Sequence, residues 1–257
     1  MKPRQLTSEN AAAFTFDDVV EHYQLRPPYP EAVVERLRGP GVFLEMGCGP
    51  AQLGRRLAPT AERVDAVDPS AAMLAKARTL AGGDAANIRW FESRAEEFSY
   101  EEKYDCILTP LSLHWMDWEV VLPMFGRALK PGGYMAMTTS CGFSAAPWNE
   151  AIRELVPQYS FMGKFDAYDL VGELESRGLF NAQEQLVMGP EPFRQSVADY
   201  VGSWWSRAGF ARDRLTPENA ATFATRVREI VTPYAVDGWL EGEIVAGLCV
   251  GAPTCDT

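Results

Sequence analysis

Two glycines and two acids in the first third of the chain have the residue types that bind a nucleoside-containing cofactor. Glu45, Gly47 and Gly49 end a short apolar run, and Asp68 follows Gly49 by about 20 positions. Glycines lack a Cβ, so they tolerate positive φ and let a ligand approach the backbone closely. An acid at this distance can accept hydrogen bonds from ribose hydroxyls. The spacing therefore predicts a nucleotide-type cofactor site.

These residues need strands that end at the same edge of a sheet. The apolar runs at 42–46 and 63–67 are typical of buried parallel strands. Pro50 suits the first position of a helix over 51–57, because its missing N–H needs no partner there. Ser70 can cap a helix over 71–81. The order strand, glycine turn, helix, strand predicts an α/β sheet that binds its ligand at the carboxyl ends of the strands.

Two cofactor classes fit a glycine turn of this kind. A dinucleotide site expects G-x-G-x-x-G, but here the third glycine, Gly54, is two places late. A negative charge on Glu45 would repel a pyrophosphate and would suit a cofactor that carries an ammonium group. The pattern therefore disfavours a nicotinamide dehydrogenase.

The stretch from Glu45 to Gly49 resembles the E/D-x-G-x-G signature of class I S-adenosylmethionine-dependent methyltransferases. Two more segments are similar to the trans-aconitate methyltransferase-like small-molecule group: Y-x-x-R-P-x-Y-P from Tyr23 and H-W-x-D-W from His114. A further family hallmark is L-K-P-G-G at 129–133, a helix stop followed by a tight turn. The resemblance covers about residues 14–140. It implies an α/β fold with a Rossmann-like, seven-stranded, doubly wound sheet, and S-adenosyl-L-methionine as cofactor.

The resemblance also implies a set of cofactor contacts. Tyr23 and Arg26 would approach the carboxylate of the methionine moiety, and Met73 would cover the adenine or else belong to the core. Arg94 stands where the family commonly has Asp, and an arginine cannot accept a hydrogen bond from the adenine amino group. That contact would then come from the backbone at Ala95 or from Arg94 stacking on the ring. The predicted cofactor-binding residues are Tyr23, Arg26, Glu45, Gly47, Cys48, Gly49, Asp68, Pro69, Met73, Arg94, Ala95, Glu96 and Thr109.

Methyl transfer from a sulfonium is an in-line displacement, for which the protein mainly supplies proximity and a dry pocket. A general base helps when the acceptor is a hydroxyl or phenol, and a carboxylate acceptor needs none. His114 follows the predicted strand 104–109, where the resemblance places the reacting methyl group. With an unperturbed pKa near 6.5 it is the predicted catalytic base; the alternatives are a substrate contact and a hydrogen bond to a loop carbonyl. The predicted substrate contacts are Trp115, Trp204 and Trp205.

The second half of the chain is less informative. Helices are predicted over 146–158, 165–177, 196–207 and 217–232, and strands over 182–188 and 243–250. The two strands fit an antiparallel addition to the sheet. The predicted parts are an N-terminal helical lid (1–40), a cofactor-binding core (41–189), an aromatic helical cap insertion over the substrate site (190–239), and a last strand with its tail (240–257).

Composition narrows the possible partners. The net charge of −11 disfavours nucleic acid and anionic membranes. No apolar run is long enough to span a bilayer, and the N-terminus lacks the apolar core of a signal peptide. The cysteines are odd in number, scattered and without C-x-x-C, which predicts a cytoplasmic location, no disulfide framework and no metal site. They are Cys48, Cys106, Cys141, Cys249 and Cys255.

The sequence thus predicts a monomeric or homodimeric methyltransferase that O-methylates a hydroxyl or phenol of a secondary-metabolite-type small molecule. Arg194, Arg207, Arg212 and Arg214 in the cap could accept an acid group, so carboxylate methylation stays open, as does methylation at N or C. A further alternative is a methyltransferase-like protein that uses the cofactor structurally in a non-methylating reaction such as cyclisation.

Overall fold

One mixed sheet organises the computed structural model, which describes residues 2–164 and 168–254. Its strands are β1 Val42–Met46, β2 Arg63–Asp68, β3 Ile88–Glu92, β4 Tyr104–Pro110, β5 Leu129–Ser144, β6 Phe180–Ser196 and β7 Trp239–Pro253. The order across the sheet is β3-β2-β1-β4-β5-β7-β6. Neighbours among β1 to β5 are parallel, whereas β7 runs antiparallel to both β5 and β6. The prediction of a seven-stranded sheet with an antiparallel addition is confirmed.

Helices cover both faces of this sheet. They are α1 Ser8–Ala11, α2 Asp17–His22, α3 Glu31–Leu37, α4 Gly54–Leu57, α5 Ala71–Thr79, α6 Trp118–Ala128, α7 Asn149–Tyr159, α8 Leu170–Ser176, α9 Val197–Ser203 and α10 Pro217–Val231. Alternate residues of β1 point to opposite faces. Phe43 packs in the cluster that contains α3, α4 and α5 residues, and Leu44 in the one that contains α6 and α8 residues. Burial on both sides explains why β1 is apolar without interruption.

The turn after β1 differs from the prediction of a helix from residue 51. Gly49 and Ala51 have φ of 54° and 50°, so the chain keeps turning and α4 begins only at Gly54. Farther on, Ser70 caps α5 as predicted, because its hydroxyl accepts a hydrogen bond from the Met73 N–H at 3.2 Å.

The late elements exist where they were predicted, with other bounds. Since β6 continues to Ser196 and β7 begins at Trp239, the connecting segment is 197–238 rather than 190–239; we call it the cap. The predicted helix over 196–207 is α9 followed by a 3-10 turn at Trp204–Ser206. Residues 165–167 of another predicted helix lie outside the described residues, and α8 starts at Leu170.

Aromatic rings form a separate core in the cap. Phe210 and Phe223 stack with ring centroids 4.4 Å apart, and Trp204 meets both edge-on. The same cluster takes in Trp148, Ile152 and Leu155 from around α7. The cap is therefore anchored to the region between β5 and β6 by its own hydrophobic core.

The described residues bear on the expectations about membrane spans, metal sites and disulfides. None of the helices there has the length and apolar character needed to cross a membrane. Within the same ranges no group of three or more His, Cys, Asp or Glu residues is arranged to hold a metal ion. Cys48, Cys106, Cys141 and Cys249 are free thiols, and Cys255 lies outside the described ranges.

Candidate active site

Asp68 joins the ends of β1 and β2. Its two carboxylate oxygens accept the backbone N–H groups of Gly49 and Ser70, each at 2.8 Å. The residue is 7% exposed. Burial raises the pKa of Asp68 to about 6 in spite of these two hydrogen bonds. The carboxylate is therefore held in place and charged at neutral pH, yet easily protonated in mild acid.

The glycine turn is required by both conformation and space. Gly47 and Gly49 have φ of 65° and 54°, in the left-handed region that other residues rarely adopt. A Cβ on Gly47 would lie 2.6 Å from the Ser112 Cβ, which is too close. Ser112 itself donates a hydrogen bond to the Met46 carbonyl at 2.7 Å. The turn is thus packed directly against the loop that follows β4.

Glu45 is buried beneath the glycine turn, whereas the charge argument assumed that its carboxylate faces the cofactor. Its side chain is fully buried, and its Oε2 accepts the Gly54 N–H at 2.9 Å. Burial raises the pKa of Glu45 to about 8, so the carboxyl group is largely protonated at neutral pH. The expectation of a negative charge presented to a cofactor ammonium is therefore wrong; Glu45 fixes the start of α4.

A cavity of about 560 Å³, which we call the first cavity, lies at the carboxyl ends of β1, β2 and β4. Most of the predicted cofactor-binding residues line it, namely Tyr23, Arg26, Gly47, Gly49, Asp68, Pro69, Met73, Arg94, Ala95 and Glu96. Three predicted contacts are not among the lining residues: Glu45, Cys48 and Thr109. These three are buried in or beside the strand ends. Strand topology brings Gly47, Gly49, Asp68 and Ala95 together, whereas packing of the N-terminal segment adds Tyr23 and Arg26.

The first cavity also has walls that the sequence interpretation missed. Ser8 to Thr15, in α1 and the turn after it, contribute lining residues, as do Ser70, Ser112, Met116 and Arg207. The Ser70 hydroxyl donates to the Phe14 carbonyl at 2.9 Å and so ties this segment to α5. Thr7 accepts the Asn10 N–H as an N-cap. A threonine ahead of a polar and alanine-rich stretch was the available signal for this helix.

Arg26 connects the N-terminal segment with the cap. Its Nε donates to the Ser206 hydroxyl at 2.8 Å, and its guanidinium lies over the Tyr23 ring at 4.1 Å. Among the described residues, no carboxylate lies within ion-pair distance of Arg26. The site thus offers a guanidinium that stacking and a hydroxyl hold in place, with donor capacity left for an anion.

A second cavity of about 590 Å³ adjoins the first. The two share His114, Trp115, Arg207 and Ala208 as lining residues, so these residues mark their junction. The far walls come from the end of α7, from the start of α8 and from the cap. Of the predicted substrate contacts, Trp115 and Trp204 line this cavity.

Trp205 is the predicted substrate contact that the structure does not bring to either cavity. Its ring instead packs against Phe223 at 5.9 Å, with the Arg212 guanidinium 5.6 Å from it. It is a core residue of the cap. The sequence could not show which of the two adjacent tryptophans faces the cavity. The direction of each ring depends on the 3-10 turn that follows α9 at this point.

His114 lies at the junction of the two cavities, in the 3-10 turn Leu113–Trp115 that follows β4. Burial lowers the pKa of His114 to about 4, and the positive charges of Lys2 and Arg26 act in the same direction. The expectation of an unperturbed pKa near 6.5 is therefore wrong. At neutral pH the imidazole is unprotonated, and it is a weaker base than the prediction assumed.

The comparison with known proteins finds a family match in the core of the sheet. Residues 43–133, which carry β1 to β4 and the start of β5, match the family model described as a methyltransferase domain. This segment is therefore similar to a methyltransferase domain, and the sheet that carries it has the class I methyltransferase fold. The trans-aconitate methyltransferase-like subgroup stays a prediction.

Curated relatives of the chain share its core segment. An uncharacterized methyltransferase of Mycobacterium tuberculosis is 26% identical over 153 residues, which are 58% of this chain and 61% of that protein. A malonyl-[acyl-carrier protein] O-methyltransferase of Enterobacter lignolyticus is 29% identical over 156 residues, 57% of this chain and 60% of the relative. The chain thus spans about three-fifths of the length of the curated relatives that it matches.

Solved structures share the fold over most of the chain. A putative type II methyltransferase from Anaeromyxobacter dehalogenans has a TM-score of 0.60 at 20% identity, with 88% of this chain and 97% of that chain covered. A methyltransferase from Thiobacillus denitrificans, solved with S-adenosyl-L-homocysteine and described as S-adenosylmethionine-dependent, has a TM-score of 0.52 at 15% identity, with 92% and 97% covered. At these identities the likeness concerns the fold.

Proposed function

We propose that this methyltransferase transfers the methyl group of S-adenosyl-L-methionine to an oxygen atom of a small molecule, with a hydroxyl or phenol of a secondary-metabolite-type acceptor as the expected target. The observation that carries the proposal is the pair of adjoining cavities with His114 at their junction. The cofactor occupies the first cavity and the acceptor occupies the second. Bound there, the cofactor supplies a methyl group already activated on a sulfonium.

The residues of the first cavity fit this cofactor in charge and hydrogen-bonding capacity. Each Asp68 oxygen accepts one backbone N–H and retains a lone pair for a ribose hydroxyl. Arg26 and Tyr23 bind the methionine carboxylate. Arg94 and the Ala95 backbone contact the adenine, and the absence of a Cβ at Gly47 and Gly49 lets the cofactor lie against the turn.

The acceptor approaches from the second cavity at the junction that His114 and Trp115 line. A neutral imidazole can donate one hydrogen bond and accept another, so His114 orients the acceptor oxygen toward the methyl group. Closure of the N-terminal segment and the cap excludes water, which protects the activated methyl group from hydrolysis.

Methylation of a carboxylate is the second candidate function. Two observations favour it over N- or C-methylation: the low pKa of His114, which makes the ring a poor proton acceptor, and the Arg207 guanidinium at the same junction. A carboxylate needs no base. No observation favours structural use of the cofactor in a non-methylating reaction, and turnover to S-adenosyl-L-homocysteine separates that alternative from the others.

The proposal extends to the partners of the protein. We infer a monomer or homodimer that binds a small-molecule substrate in the cytoplasm and binds neither nucleic acid nor membrane, in keeping with its net charge of −11.

Isothermal titration calorimetry tests the cofactor, with S-adenosyl-L-homocysteine and NAD titrated separately into the full chain. We expect binding of the first and none of the second. Production of S-adenosyl-L-homocysteine from S-adenosyl-L-methionine, measured with a panel of phenols and aromatic acids, then tests transfer. Binding of NAD without binding of S-adenosyl-L-homocysteine would refute the proposal.

A further inference from the structure

Arg207 is a positively charged residue at the junction of the two cavities. Its guanidinium lies over the Trp204 ring at 4.0 Å and donates one hydrogen bond to the Ser203 carbonyl at 3.0 Å. Within residues 2–164 and 168–254, no carboxylate is within ion-pair distance of it. Stacking and the single hydrogen bond orient the group while leaving most of its N–H donors unused.

A second cation lies near Arg207. Burial and the positive charge of Arg26 lower the pKa of Arg207 to about 10, so Arg207 remains charged at neutral pH. Two guanidinium groups without a described carboxylate between them repel each other, and an anion bound at this place would relieve the repulsion.

The other three arginines that the sequence offered for an acid group have partners or lie elsewhere. Arg212 forms an ion pair with Asp18, and Arg214 donates to the Glu9 carbonyl at 2.7 Å. Arg194, in β6, stacks on Trp239 at 4.2 Å. None of these three lines either cavity. Of the four arginines that the sequence offered for an acid group, the fold brings only Arg207 to the described cavities.

We propose that the methyl acceptor carries an acid group and that Arg207 binds it at the junction of the two cavities. The inference rests on the proposed function, because it takes the second cavity as the acceptor site. Arg26 lines only the first cavity, whereas Arg207 lines both. The two cations therefore serve different anions: Arg26 binds the carboxylate of the cofactor and Arg207 the acid group of the acceptor.

The remaining walls indicate what the acid group is attached to. Trp204, Phe210 and Tyr168 line the second cavity together with Trp115, so the body of the acceptor lies among aromatic rings. Asp169 is the other charged residue among the described lining residues of this cavity, and it disfavours a second acid group on the acceptor. We infer an aromatic or apolar acceptor with one carboxylate.

The test compares acids with their neutral amides. Benzoate, 3-phenylpropionate and hexanoate, each paired with its amide, are titrated calorimetrically into the wild-type chain with and without saturating S-adenosyl-L-homocysteine. At least one acid should bind about tenfold or more tightly than its amide, as expected for a charge-assisted hydrogen-bonded pair. Arg207→Gln should remove the preference, and Arg207→Lys should keep part of it. Arg194→Gln is the matched control and should behave as wild type.

Three outcomes would overturn the inference. One is the same affinity for acid and amide in all three pairs. Another is an acid preference that survives Arg207→Gln. The last is a loss of S-adenosyl-L-homocysteine affinity in Arg207→Gln as large as in Arg26→Gln, which would make Arg207 part of the cofactor site. Failure of the wild-type chain to bind S-adenosyl-L-homocysteine would instead refute the proposed function. The preference for acid over amide would still be measurable in that case, because the acids and amides are also titrated without S-adenosyl-L-homocysteine.

Discussion

The Asp68 carboxylate accepts the Gly49 backbone N–H at 2.8 Å and so holds the glycine turn after β1 against the end of β2. The same carboxylate borders the first cavity. One side chain therefore shapes the turn and presents a charged acceptor to the proposed cofactor. The two roles can be separated experimentally by comparison with Asp105 of β4, which accepts a backbone N–H within the sheet but lines neither cavity.

Asp68→Asn should weaken binding of S-adenosyl-L-homocysteine by about tenfold or more, since hydrogen bonds to a charged group contribute about 1.5–3 kcal/mol. Asp105→Asn is the matched control. Asp105 accepts the Val42 N–H at 2.7 Å and lines neither cavity. Both variants should lower the melting temperature, but only the first should lower calorimetric affinity. Equal affinity in the two variants would remove Asp68 from the cofactor site.

The affinity for S-adenosyl-L-homocysteine should also depend on pH. Burial raises the pKa of Asp68 to about 6, so the free protein takes up a proton there as the pH falls. Ribose hydroxyls that donate to the carboxylate favour its charged form. Affinity should thus be constant above about pH 7 and fall by up to about tenfold per unit below pH 6. Calorimetry between pH 5 and 8 measures this, and Asp68→Asn should flatten the curve.

His114→Gln should keep kcat within about tenfold of wild type, whereas loss of a true base costs about 10²–10⁴-fold. The reason is that the pKa of His114, lowered by burial to about 4, leaves the ring unprotonated above about pH 5 and makes it a weak base. Titration of His114 should therefore cause no inflection near pH 6.5 in the pH profile of kcat. His22→Gln, on α2, is the control histidine. A loss beyond about 100-fold together with such an inflection would restore the role of general base.

Residues 14–30 should exchange their amide hydrogens more slowly when S-adenosyl-L-homocysteine is present. Tyr23 and Arg26 line the first cavity, and the Arg26–Ser206 hydrogen bond links their segment to the cap, so a ligand beneath them should hold the segment closed. Hydrogen-exchange mass spectrometry measures the change, with α10, which lines neither cavity, as the internal reference. Unchanged exchange in 14–30 on binding would leave this segment as a linker without a lid role.

The sequence by itself determined the sheet and the base of the first cavity. The apolar runs, the two glycines and the terminal acid lie within 27 residues of one another, from Val42 to Asp68, and their requirements are local. A glycine is needed where φ is positive, and the carboxyl ends of parallel strands meet at one edge. These rules were sufficient to bring Gly47, Gly49 and Asp68 together, whereas Ala95 was assigned from the family resemblance.

Only the tertiary structure decided the walls of the site and its charges. The Arg26–Ser206 hydrogen bond joins residues 180 positions apart, and no local pattern specifies such a pair. Likewise Trp204 and Trp205 both pack in the core of the cap, but only Trp204 also lines a cavity, because the 3-10 turn after α9 sets the direction of each ring. Packing of the cap also decided that Arg207, rather than Arg194, Arg212 or Arg214, reaches the second cavity.

The two wrong expectations about ionisation have the same cause. Glu45 and His114 were assigned the charge behaviour of residues in water, because a sequence states which group is present and not how much solvent surrounds it. Burial raised the pKa of one to about 8 and lowered that of the other to about 4. Both shifts favour the neutral form, since desolvation penalises charge, and the extent of desolvation depends on packing among segments distant in the chain.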